Sequence, residues 1–376
     1  MARGSGSPEE TIEVRADQAG IQLLGIADAR IPQGVRGPME EMYARWLDEG
    51  NHGTMTFLQR HREMKFDPER ILPGCRSVIL AALPYYQEAS WGKGRMLGPR
   101  GGRISRYAWG RDYHKVLKTR LNTLKTSLGQ DFPGEEFLPF TDAGPLHERF
   151  FAQSAGIGFT GRHTLLITHE QGSWVFLGGL LTTLALEARG HHQIPENPGS
   201  SAQGVCPSSC RRCIQVCPTG ALTAPFRIDA SRCISYLTIE HRGLIPEDLR
   251  ALMGDWVFGC DLCQEVCPLN LKAQQTGVED FLTIRAQGTQ DLGELLSMRS
   301  HEDFVRRFAG TPVMRARREG MVRNACIAGA NRGEKTLIPI LREVIREDSD
   351  AAVRETARWA VAVLEGRSTG SQQDVL

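Results

Sequence analysis

The sequence predicts an α+β multidomain protein, and three observations predict it. Helix-like and strand-like patterns alternate over the N-terminal half, cysteines crowd the centre, and helical periodicity fills the C-terminal part. The chain has 376 residues, more than one small domain needs, which implies two or three domains. Hydrophobic residues make up 41%, the share of an ordinary globular core. A formal charge of only +1 excludes a globally cationic polyanion binder, so any nucleic-acid contact must come from a local patch.

Residues 1–10 open with a polar stretch and are expected to be a disordered N-terminus. From Thr11 to Ala19 the pattern is helical, and Ile21 to Ala27 reads as a buried strand. A second helix is expected from Pro38 to Glu49, where Met39, Met42, Tyr43 and Trp46 recur at helical spacing. A Pro-Gly turn then leads into a β-rich run from Ser77 to Leu83, with Cys75 at its entrance as an inert buried thiol. The glycine-rich stretch Gly92 to Gly102 lacks a phosphate-loop pattern and reads as a loop. An amphipathic helix is predicted from Asp112 to Leu128, with Tyr107, Trp109, Tyr113 and His114 clustered at its approach. A strand end, Asp142, a helix from near Pro145, a glycine turn and another strand follow. Gly172 to Leu186 supplies one more apolar element. Its Gly178, Gly179, Thr182 and Thr183 interrupt it, and it falls short of the roughly 20 residues a membrane span needs. These elements make 11–190 an α/β domain. With no secretory leader at the start, a cytoplasmic protein with no membrane partner is expected.

Eight of the ten cysteines lie between Cys206 and Pro268. They read C-P-S-S-C-R-R-C-I-Q-V-C-P (Cys206, Cys210, Cys213, Cys217), a lone Cys233, and C-D-L-C-Q-E-V-C-P (Cys260, Cys263, Cys267). A cubane iron–sulfur cluster takes four thiolates, and in bacterial ferredoxins the fourth cysteine of each run serves the other cluster. That rule assigns Cys206, Cys210, Cys213 and Cys267 to one [4Fe–4S] cluster and Cys217, Cys233, Cys260 and Cys263 to a second. Cys233 stands in for the C-x-x-C that the second run lacks, and the first gap departs from the usual spacing as C-x3-C with Pro207 inside it. Zinc, which C-x-x-C pairs also serve, would leave the paired C-x3-C-P endings without a role. Disulfides do not suit a chain without a secretory leader. Residues 191–285 therefore read as a ferredoxin-like module for two [4Fe–4S] clusters, entered through the Gly-, His-, Pro- and Ser-rich stretch Glu187 to Val205.

Beyond the module, Val322 to Ala330 and Val353 to Val361 match in register 31 residues apart, the sign of paired-helix repeats of the HEAT type over 286–366. Cys326 falls on the apolar face of that pattern, as core. Residues 367–376 form a polar tail. Between Arg299 and Arg323 seven arginines stand against Glu302, Asp303 and Glu319. Two readings stay open there, a solvated repeat face and a basic surface for phosphates.

Further motifs span the chain: R-H-x-x-x-K-x-x-P with L-P-G (Arg60 to Gly74), I-S-R-Y-A-x-G-R-D-Y-H-K (Ile104 to Lys115), D-x-x-P-x-x-E-R (Asp142 to Arg149), G-x-x-G-R-H-T (Gly158 to Thr164), G-S-W-x-F-L-G (Gly172 to Gly178) and R-C-I-S-Y-L-T-I-E (Arg232 to Glu240). With the cysteine runs they carry a resemblance to the epoxyqueuosine reductase family, cobalamin-dependent iron–sulfur enzymes of tRNA modification. It implies base-off cob(II)alamin in an N-terminal nitroreductase-like domain, two [4Fe–4S] clusters beside it, and a HEAT-like domain that helps grip tRNA. The reaction implied is reduction of epoxyqueuosine to queuosine at the wobble position of tRNAs with GUN anticodons. A monomer fed by an external low-potential electron donor would suffice.

By the same resemblance Asp142 is the proton donor to the departing oxygen and a cofactor contact. To hold a proton near neutral pH it is expected to have its pKa raised by burial against the corrin. Read from the residues alone, Asp142 could equally cap the following helix. Lys65, Ser105, Arg162, His163 and Ser235 are the other implied corrin contacts, with His163 hydrogen-bonding rather than ligating cobalt. Arg315, Arg317, Arg318 and Arg323 are chosen for tRNA phosphates, and Tyr107 and Trp109 as aromatic receivers for the modified base. The competing readings are a corrinoid reductive dehalogenase and a non-catalytic electron carrier. Corrin content, tRNA binding and dehalogenation distinguish them.

Overall fold

A computed structural model of the chain describes residues 6–89, 98, 100–142, 144–188, 206–282 and 285–366. The polar tail 367–376, most of the stretch leading into the cysteine module and most of the Gly92 to Gly102 segment lie outside the described residues. Part of the expected disordered N-terminus is helix instead. Ser7 and Glu10 form a reciprocal capping box that starts a helix at Pro8–Gln18, so order begins three residues earlier than the apolar pattern does.

The N-terminal sheet contains β1 (Leu23–Asp28), β2 (Ser77–Pro84), β4 (Phe137–Thr141) and β7 (Val175–Thr182) in the order β1-β2-β7-β4, every pair antiparallel. β2 shows why the run S-V-I-L-A-A-L-P is apolar without alternation. Ile79, Ala81 and Leu83 face one core with Leu117, Leu121 and Leu124, while Val78, Leu80 and Ala82 face another with Phe66, Leu72 and Phe151. With both faces covered, every position of the strand is buried. The first core is closed by the helix Tyr113–Asp131 and the second by Glu148–Ser154. A hairpin of β5 (Gly158–Thr160) and β6 (Leu166–Thr168) adjoins the latter.

A second sheet crosses the domain limits expected from sequence. β3 (Gly101–Ile104) pairs in parallel with β8 (Trp256–Phe258) and antiparallel with β9 (Thr289–Asp291). The glycines at 101 and 102 therefore open a strand rather than close a loop, and Gly102 is required because a Cβ there would lie 2.7 Å from both Leu292 and Val257. Ile104, Ala108 and Trp109 belong to the same core as Phe304, Val322 and Trp359, so the three expected segments share one interior.

In the C-terminal part the helices Arg317–Asn331, Ile338–Glu347 and Ala351–Leu364 pack on one another, and both matched segments lie on them. Cys326 is fully buried, and Cys75 is buried too, with desolvation pushing its thiol up to about 11. Asn324 fastens this layer to the cysteine module, its amide donating to the carbonyls of Thr238 and Val257 at 2.9 Å each.

Candidate active site and cluster ligands

The chain brings the eight clustered cysteines together as two sets. Cys206, Cys210, Cys213 and Cys267 line one small enclosed space with Arg162, His163 and Arg212, and the charges on Cys206, Cys210 and Cys267 all act on Cys213. Cys217, Cys233, Cys260 and Cys263 form the other set, with Cys217 and Cys233 acting on Cys263 and Cys263 and Cys233 on Cys260. Burial pushes the thiols of Cys233, Cys260 and Cys263 up, so forming thiolates there costs energy that a bound cation recovers. Among the described residues no three His, Cys, Asp or Glu side chains could hold a single metal ion. Two sets of four reduced thiols fit the donor set of [4Fe–4S] clusters, and Cys206 joins its set despite the longer gap.

The loop between Cys260 and Cys263 is locked to β3. Asp261 is fully buried and accepts from the Ser105 hydroxyl, from the Arg106 amide at 2.9 Å and from the Arg106 guanidinium at 2.9 Å. Arg106 also reaches Glu265 at 2.7 Å and lies over the rings of Trp174, Trp109 and Tyr86. Gly259 makes the close approach possible: its φ is 67°, and a Cβ would lie 2.5 Å from that of Ser105. Replacing Gly259 with Ala is expected to destabilise the fold by roughly 1–3 kcal/mol, read as a lower urea midpoint, whereas Gly220→Ala, at a positive φ in open space, should cost less.

Asp142 sits just past the end of β4, its side chain 39% exposed. The Tyr113 hydroxyl donates to Oδ2, and His114 Nε2 lies 3.0 Å from Oδ1. The other ring nitrogen of His114 is 2.8 Å from Asp112, which also caps the helix by accepting from the His114 amide at 3.1 Å. The cap of this helix is held in turn by Gly310, whose carbonyl accepts from the Asp112 amide at 2.8 Å. Tyr113 stacks on Phe176 with centroids 4.1 Å apart, and Tyr107 meets Tyr113 edge-on at 6.1 Å before reaching Phe258 beside the second thiol set. Asp142 makes no cap for the next helix, whose N-cap is His147.

Burial works against a charged His114, but hydrogen bonds to Asp112 and Asp142 outweigh it and raise the pKa to about 9. At neutral pH the ring is therefore an imidazolium between two carboxylates. Its contribution to stability is whole below its ordinary value of 6.5 and is lost as pH rises through about 9. Stability of wild type relative to His114→Gln should fall across that window, and Asp142→Asn should lower the His114 midpoint in an NMR titration. An unchanged midpoint would separate the two groups.

The remaining expected contacts divide. Lys65 is 7% exposed, desolvation lowers its pKa against the pull of Glu148, and its ammonium has no hydrogen bond among the described residues. Arg162 Nε and His163 Nε2 are buried without partners among the described residues, although Arg162 also donates to the Ser208 carbonyl at 2.7 Å. Burial lowers the His163 pKa to about 4, so it is neutral and suited to hydrogen bonding. Arg162 and His163 line the space of the first thiol set, whereas Lys65 lies by His147 and Glu148. The Ser105 hydroxyl is committed to Asp261 instead, and Ser235 lies against Cys233. Trp109 is core, 4% exposed with its indole N–H donating to Ile104, so it cannot receive a base.

The arginines also divide. Arg315 and Arg317 are exposed, Arg315 paired with Glu240 at 2.8 Å. Arg318 and Arg323 are structural instead: Arg318 is buried against Asp348 at 2.6 Å, and Arg323 donates to the carbonyls of Leu237, His241 and Gly243. A charge count along the sequence cannot see those partners. What it missed is Arg242, exposed, holding the carbonyls of Ile239 and Arg315 and lining a cavity of about 390 Å³ with Arg317, Glu319 and Asp350. Tyr113 and His114 were legible as a cluster, but not as partners of Asp142.

Residues 206–270 match the family model described as a 4Fe-4S double cluster binding domain. That module, with an acid held by a phenol and an imidazolium beside it, defines an iron–sulfur oxidoreductase. Residues 65–143 match the model for "Epoxyqueuosine reductase QueG, DUF1730". The epoxyqueuosine reductase of Shewanella oneidensis is 38% identical over 352 residues, covering 91% of this chain and 85% of its own, and that of Escherichia coli K12 is 36% identical over 346, covering 92% and 86%. A crystal structure of epoxyqueuosine reductase with an epoxyqueuosine-modified tRNA-Tyr stem loop superposes with a TM-score of 0.81 at 28% identity, covering 95% of this chain and 89% of that one. The Bacillus subtilis enzyme, with its catalytic aspartate loop swung out of the active site, gives the same score and identity over 95% and 90%. The chain belongs to the epoxyqueuosine reductase family.

Proposed function

We propose that this protein reduces epoxyqueuosine to queuosine at the wobble position of tRNAs with GUN anticodons, as the last step of queuosine formation. The observation that carries the reading is Asp142, an acid with Tyr113 and cationic His114 on its two oxygens, joined through Tyr113 and Tyr107 to Phe258 next to the second thiol set. The net change consumes two electrons and two protons: the two C–O bonds of the epoxide break, an alkene forms and the oxygen leaves as water. Cationic His114, hydrogen-bonded at 3.0 Å, passes its proton to Asp142, Asp142 gives it to that oxygen, and the partly exposed imidazole regains a proton from solvent.

Cobalamin bound here would supply two-electron reducing power at carbon, a chemistry that no side chain offers. Lys65, Arg162 and His163 would hold it, each with a buried polar group not yet spent. The thiol set of Cys206, Cys210, Cys213 and Cys267, whose space Arg162 and His163 also line, would hold one cluster, and that of Cys217, Cys233, Cys260 and Cys263, on the side of Phe258 and Tyr107, the other. Arg315, Arg317 and Arg242 would hold tRNA phosphates, contacts that position the anticodon arm without reading sequence. No helix among the described residues is long and apolar enough to cross a membrane, consistent with a tRNA substrate met in solution.

The test is anaerobic conversion of epoxyqueuosine to queuosine in tRNA by cluster-reconstituted protein with cobalamin and dithionite, followed by nucleoside mass spectrometry. Cobalamin-dependent product supports the reading. No product from cluster-loaded, corrin-bound wild type would overturn it. An Arg242→Ala/Arg317→Ala variant should bind tRNA more weakly and lower the slope of affinity against salt by about two contacts.

A further inference from the structure

The cations around the first thiol set are distributed unlike those of the rest of the chain. Across the protein 45 Lys and Arg face 44 Asp and Glu, yet Cys206 to Ile228 and Val266 to Val278 carry Arg211, Arg212, Arg227 and Lys272 and no acid. Arg227 is paired with Glu49 at 2.9 Å. Arg211, Arg212 and Lys272 are exposed with no carboxylate partner among the described residues. Of the flanking acids, Glu265 is paired with Arg106, Asp229 accepts from Ser231 and Asp280 is paired with Arg111, while Glu279 stands exposed just past the second segment. Next to Lys272 stands Leu271, 79% exposed, the most exposed large apolar side chain among the described residues. Pro207, Ser208 and Ser209, in the loop of the first set, are exposed as well. In the second set Cys233 and Cys260 pack on the core that holds Phe258, which ring contacts through Tyr107 and Tyr113 link to Asp142. The exposed basic rim thus belongs to the first thiol set, and the aromatic link to the acid belongs to the second.

We propose that Arg211, Arg212, Leu271 and Lys272 form the docking surface of a small acidic one-electron carrier protein, which delivers its electrons to the cluster on Cys206, Cys210, Cys213 and Cys267. The proposal rests on the function proposed above and adds the route of reduction and the class of partner. Two carrier molecules are each oxidised by one electron for every epoxide reduced, and with two protons these electrons account for the alkene and water. A basic rim steers an acidic partner and makes association fast and salt-dependent, while a single exposed leucine keeps the contact small enough to dissociate between electrons.

The test uses the whole cluster-loaded protein and, as probe, a reduced plant-type [2Fe–2S] ferredoxin, with cluster bleaching followed by stopped flow. Wild type should be reduced with a second-order rate that falls steeply as salt rises. Arg211→Glu/Lys272→Glu should lower that rate at least about tenfold at low salt, with Arg211→Gln/Lys272→Gln in between. Reduction by dithionite and affinity for tRNA should stay at wild-type values. Variants that accept ferredoxin electrons at the wild-type rate would overturn the proposal, and so would variants that lose tRNA affinity while keeping that rate, which would make the patch an RNA face. Because bleaching is read before any turnover, the result stands apart from conversion of epoxyqueuosine.

Discussion

Asp142→Asn is expected to leave tRNA binding and cluster content intact and to slow product formation by about 10²–10⁴, the range for losing a positioned general acid. Asparagine has nearly the same shape and can still accept from Tyr113, so the loop should keep its place. It has no proton to give, and without one the oxygen would have to leave as a strong base. Single-turnover kinetics with bound tRNA isolate the step, since binding and electron delivery are complete beforehand. His114→Gln should slow the reaction less and chiefly above neutral pH, where the wild-type imidazolium still holds its proton. Wild-type rates in Asp142→Asn would move the proton donor elsewhere, and Tyr113 would be the next group to test.

Arg106→Leu is expected to cost about 3–5 kcal/mol, because it leaves Asp261 buried and unpaired. The guanidinium is 7% exposed and its partner fully buried, so no water is at hand to replace the pair. The cost falls on a loop whose neighbours on either side are Cys260 and, two residues on, Cys263. Iron content after reconstitution should therefore drop together with the urea midpoint. Arg106→Lys keeps the charge but loses the Nε–H that donates to the Gln87 carbonyl while Nη1 reaches Asp261 and Glu265, and it should land between the two. Full iron content in Arg106→Leu would show that the thiols gather without this pair.

Local spacing made the cysteine sets, β2 and the helix after Asp112 legible, since each is specified by residues close together in sequence. Other features depend on distant partners and left no local trace. β3 is four residues that read as the end of a glycine loop, and only pairing with β8 and β9 makes them a strand. Arg318 and Arg323 count as surface charge until Asp348 and the carbonyls near His241 come into contact with them. Asp142 was found through a resemblance. Its partners Tyr113 and His114 lie 29 and 28 positions earlier, on another element, and only the fold brings them to the carboxylate.

The small sheet around β3 also bears on how the protein is made. The parallel partner of residue 103 is Trp256, and its other neighbour, Thr289, comes later still. As the chain leaves the ribosome, Gly101–Ile104 waits for Trp256 within the cysteine module and then for Thr289 beyond it, and the Asp112 cap waits for Gly310. The loop of Cys260 and Cys263 gains its anchor on Ser105 and Arg106 at that same late stage. Iron loading thus belongs at the end of synthesis, and a chain cut short before Thr289 would present thiols to solvent with one edge of their support missing.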